Sequence, residues 1–204
     1  VSTVKDGTLP EFSTSMKVGD ALGKYSGCVE KTAKWSKFST DQIKSGVEFT
    51  CELKPSAELY AGIRKEAVDA KSGVQVLQAM ADAFRAALGD GASQQLDMSK
   101  NIDTMIAATG VTKNELTVRF AINSDDKKKF DLSSVSTKFF WGKDSANLAN
   151  PKDSLHAVYD NVPFVANTAG KEKTFREDLF NLYNTRTVAA GSAPASAPAS
   201  SPAK

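Results

Sequence analysis

A single histidine, His156, stands among 204 residues, and that count limits the acid–base chemistry open to the chain. A Ser-His-Asp or Cys-His device needs the imidazole beside a nucleophile that carries its own local signature. His156 sits in SLHAVYD, which has none, and reads as an ordinary surface or half-buried histidine. No HExxH, CxxC, GxSxG or phosphate-loop string occurs. A zinc site would have to draw on one His, two Cys and carboxylates at no characteristic spacing. The acidic residues Asp125, Asp126 and Asp90 lack the alternating Asp/Asn and closing Glu of a calcium loop, and read as solvated turns. A glycosidase carboxylate pair can come from any two positions, and nothing selects two of the 24 acidic residues. The expectation is no catalytic residue, no metal and no cofactor.

The two cysteines, Cys28 and Cys51, are better placed for chemistry. Their count is even and their spacing is not that of a redox or metal motif. In VEFTCEL, Cys51 shares one face with Val47, Phe49 and Leu53. Cys28 follows a helix whose apolar face should rest on that same side. The two Cα atoms can therefore fall within the roughly 4.4–6.8 Å that a disulfide needs. Such a bridge predicts an oxidising compartment. Two further groups stand out. Lys127, Lys128 and Lys129 read as a soluble hairpin tip. Phe139, Phe140 and Trp141 are consecutive on a strand and cannot all face one core. They are a candidate partner-contact patch unless a helix covers them.

Composition supports these readings. Lys+Arg 26 against Asp+Glu 24 gives a net charge of +2, a balance that argues against nucleic acid as a partner. Hydrophobic residues at 41% and charged residues at 25% suffice for a core. No apolar run approaches the roughly 18 residues of a membrane span. The opening VSTVKDGTLPEF has no basic and apolar leader pattern, as in a cytosolic protein or a mature exported one. Ala189 to Ala203 contains only Ala, Ser, Pro and Gly, which predicts a flexible tail over 187–204 after a single domain over 1–186.

Elements must position these residues. Val18, Ala21, Leu22 and Tyr25 follow helical spacing, predicting a helix over about 16–26 with cap candidates at Ser13, Thr14 and Ser15. Period-two alternation marks strands at 47–53 and 116–122. Partner strands are expected from Lys34 and from Phe130 to Trp141, the latter with a bulge between Leu132 and Val135. Residues 56–110 change period and read as an inserted block of about three helices, with stripes Leu59–Ile63–Ala67, Leu77–Met80–Phe84–Leu88 and Ile102–Met105–Ile106. Helices follow at PKDSLHAVYDN and at about 171–184. The predicted fold is α+β: a four-stranded antiparallel sheet, an N-terminal helix packed on it, the inserted helical block and C-terminal helices. Its core would hold Val18, Leu22, Trp35, Val47, Phe49, Leu116, Val118, Phe120, Ile122 and Tyr159.

VKDGTL (Val4 to Leu9), KVGDAL (Lys17 to Leu22), Trp35 with Phe38, GVEFTCEL (Gly46 to Leu53), VRFAIN (Val118 to Asn123) and LHAVYDN (Leu155 to Asn161) together resemble a family of small bacterial exported and lipoprotein domains of unknown function. The resemblance covers about 4–54 and 115–161. Lys17 departs from it, standing where the family usually has a capping Thr. The block 56–110 and everything after Pro163 lie outside it. It implies a helix packed on an antiparallel sheet, an exported or envelope location, and no known catalytic residues. The functional expectation is a non-catalytic periplasmic, envelope or secreted module that binds another protein, as part of a larger complex. The alternatives are a hydrolase without a readable motif and an inhibitor-type domain that presents loops.

Overall fold

Alternation of apolar and polar residues lets a strand bury one face and wet the other, and the segments that alternate most cleanly form the centre of the sheet. In a computed structural model, which describes residues 1–54, 56–88, 96–164 and 172–188, five strands run in the order β1 (Lys34–Phe38), β2 (Gly46–Leu53), β3 (Lys113–Ile122), β4 (Phe130–Trp141) and β5 (Asp144–Asn150). Every neighbouring pair is antiparallel. The α+β class holds, but the sheet has five strands rather than four. The fifth, DSANLAN, has no β-branched or aromatic residue. Its pairing with β4, not its composition, makes it a strand, and Gly142 (φ 65°) supplies the tight turn between them. The expected bulge in β4 is present. Arg119 faces Ser134 while Phe120 faces Leu132, which leaves Ser133 as the extra residue.

One face of the sheet carries almost the whole interior. Val47, Phe49, Cys51 and Leu53 of β2 join Leu116, Val118 and Phe120 of β3 and Leu132 and Val135 of β4 in the main core. Three short helices cover it: α1 (Ser2–Asp6), α2 (Val18–Gly23) and α5 (His156–Tyr159), the last continuing a 3₁₀ turn at Lys152–Leu155. Of the ten predicted core residues, Trp35 and Ile122 are only partly buried against this cluster and the other eight are buried. Helix α2 is shorter than predicted and lacks a side-chain cap. Its N-cap is Lys17, and the Val18 N–H instead donates to the Gly7 carbonyl at 2.9 Å. The end of α1 thus satisfies one of the donors that a helix start leaves without an intrahelical partner.

The remaining helices sit at the far end of the same sheet face. Phe139 lies opposite Asn114, two residues along from the Leu116–Thr137 pair, so it points to the side on which the main core lies. Around it pack Tyr60 and Ile63 of α3 (Ala57–Leu88), Ala108 of α4 (Leu96–Ala108), and Phe175, Leu179 and Leu182 of α6 (Glu172–Thr185). Polar pairs lie on this face too: Asn114 Nδ2 donates to Tyr60 Oη at 2.8 Å, and Asn150 Nδ2 to Thr137 Oγ1 at 2.9 Å. The inserted block contains two helices among the described residues, not three. The first two predicted stripes belong to one helix: α3 runs through Ser72-Gly73 for 32 residues, roughly 48 Å at helical rise. A solvent-facing glycine costs about 1 kcal/mol in a helix interior, too little to end one held along a flank. Ile63 and Ala67 are buried and Leu59 partly so. The side chains of Leu77, Met80, Phe84 and Leu88 lie outside the described ones.

The chain after α6 is tied back to the sheet. Thr187 and Ser145 exchange backbone hydrogen bonds of 2.8 and 3.2 Å, while residues 189–204 lie outside the described ones. Arg186 Nε donates to Asp144 Oδ2 at 3.2 Å, and its guanidinium lies 3.8 Å from the Tyr183 ring centroid. Both ion-pair side chains are mostly enclosed, at 22% and 11% exposure. Arg186→Ala strips a charged partner from an enclosed carboxylate and should lower stability by about 1.5–3 kcal/mol, measured by urea denaturation. A loss within error of zero would mean that the Arg186–Asp144 pair adds nothing to the packing of Leu182 and Tyr183 and the Thr187 backbone bonds that hold the end of α6.

Candidate binding cleft

The strand alternation and the path after α2 bring the two cysteines together. Cys51 points into the core at 1% exposure, and Cys28 lies beside β2 in a bridge with Leu53. Their Cα atoms are 5.8 Å apart and the disulfide is formed. Backbone hydrogen bonds brace it on both sides, from Val29 N–H to Glu52 O and from Lys54 N–H to Gly27 O, each 2.7 Å.

The three consecutive aromatics divide between two faces. Phe139 is buried at 1% exposure, with Phe175 of α6 at 6.3 Å between ring centroids. Trp141 shares its side, half-buried against Tyr183, with its indole N–H donating to Ala108 O at 2.8 Å. Phe140 points to the opposite face, where Lys113 and Lys138 ammonium groups lie 5.3 and 5.1 Å from its ring centroid. The triplet is therefore not one surface: helices take two members, and two lysine ammonium groups lie over the third.

His156 is exposed at the start of α5, edge-on to Phe12 at 4.8 Å. Asp125 and Asp126 donate their backbone N–H groups to Asn123 Oδ1, the hydrogen bonding of a solvated turn. Lys127, Lys128 and Lys129 are exposed at the same tip. Asp90 lies outside the described residues. No group of three or more His, Cys, Asp or Glu side chains that could hold a metal ion occurs among the described residues.

A concavity that sequence reasoning missed opens between α2 and α5, with a volume of about 440 Å³. Met16, Ala21, Val158 and Tyr159 supply apolar surface; Ser15, Asp20, Lys24 and Asn161 supply polar groups. Contacts across some 135 residues of chain hold its walls in place. Tyr25 Oη donates to Val162 O at 2.9 Å, and Ser26 N–H donates to Asn161 Oδ1 at 2.8 Å. Asn161 has φ of 53°, a left-handed conformation that Asn tolerates better than most residues. Its side-chain bond to Ser26 fixes that turn at the cleft edge. Phe12 stacks on Tyr159 at 5.4 Å, and the enclosed Tyr159 Oη has no hydrogen-bond partner among the described residues. Met16 is 40% exposed. Asp20 and Lys24 form an exposed i,i+4 pair at 3.0 Å, weak enough for a bound molecule to exchange. The sequence marks Val18, Leu22 and Tyr159 as core, but no local signal pairs α2 with α5.

Tyrosines are the groups whose ionisation burial changes most. Burial pushes Tyr25, Tyr60 and Tyr159 up to about 12; the charge of Glu11 adds to the effect at Tyr159. A raised folded-state value means that the native chain holds its proton more tightly than the unfolded one. The resulting stability is whole below about pH 10, where unfolded tyrosine ionises, and is lost as pH rises towards 12. Ultraviolet titration should therefore show Tyr25, Tyr60 and Tyr159 ionising late, together with alkaline unfolding. Those three tyrosines titrating near pH 10 in a chain that stays folded would contradict this burial.

No protein-family model, no curated protein and no solved structure matches this chain.

Proposed function

We propose that this chain is a non-catalytic module of the extracytoplasmic space, in the periplasm or at the cell envelope, and that it binds another protein as one subunit of a larger complex. The cleft between α2 and α5 carries this reading: the exposed Met16 stands over a floor of buried Val158 and Tyr159, beside a few polar groups, the composition by which binding sites combine affinity with orientation. The Cys28–Cys51 disulfide supports the compartment, because cytosolic thiols are kept reduced. No helix among the described residues is long and apolar enough to cross a membrane.

Photo-crosslinking in intact cells tests the proposal. A photoreactive residue in place of Met16 should yield one discrete protein adduct, and the same residue in place of the exposed Lys143 should yield none. Met16→Asp should reduce binding of the captured partner at least tenfold. Equal labelling from both positions, or turnover on a hydrolase panel abolished by one acidic substitution, would overturn the reading.

A further inference from the structure

We draw no further inference here: the strongest candidate, the outer flank of the long helix α3 where Val68 and Val76 stand 43% and 60% exposed, carries nothing because no observation in the structure shows what covers it.

Discussion

Phe120→Ala should lower the free energy of unfolding by about 3–5 kcal/mol, the range for truncating a buried aromatic. Phe120 sits on a central strand at zero exposure. It lies opposite Val47 on one side and Leu132 on the other. Its ring is 6.3 Å from that of Trp35 and 5.9 Å from that of Phe130. Neighbours on a paired sheet cannot close the space without breaking register, so most of the ring volume would remain as a cavity. Phe140→Ala, on the opposite face and only partly buried beneath two lysine ammonium groups, should cost much less. Denaturant titrations of both variants check the pair. A loss below about 1 kcal/mol at Phe120, or a larger one at Phe140, would invert the assignment of the two faces.

Removing the disulfide should cost about 3 kcal/mol. The two cysteines are 23 residues apart, and closing a loop of that length restricts the unfolded chain by about this much on the chain-entropy model. The native geometry does not depend on the sulfur bond alone. Val29 and Lys54 keep their 2.7 Å backbone bonds across the same junction, and Glu52 N–H donates to Thr32 Oγ1 at 3.1 Å. The reduced chain should therefore fold to the same structure with a lower urea midpoint. A Cys28→Ala/Cys51→Ala variant should match the reduced wild type, and reductant should leave that variant unchanged. Thiol titration of unreduced, denatured protein should find no free thiol. Two free thiols, or equal midpoints with and without reductant, would remove the bridge and with it the chemical argument for an oxidising compartment.

What the sequence by itself determined is what repeats locally. Alternation in VEFTCEL and LTVRFAI assigned β2, β3 and their inward faces, because a half-buried strand writes its burial into every second residue. The same logic placed Cys51 inward and exposed the broken alternation of the bulge. It also required that Phe139 and Phe140 point to opposite faces. Features that depend on distant chain were decided only by the tertiary structure. DSANLAN became a strand through its ladder with β4, and α3 ran through Ser72-Gly73 because a weak helix breaker loses to a packed flank. The cleft joins Met16 and Asp20 to Val158 and Asn161, some 140 positions away. No period links such positions; they meet because α2 and α5 cover the same patch of sheet, and hydrogen bonds from Tyr25 and Ser26 hold the two segments in register.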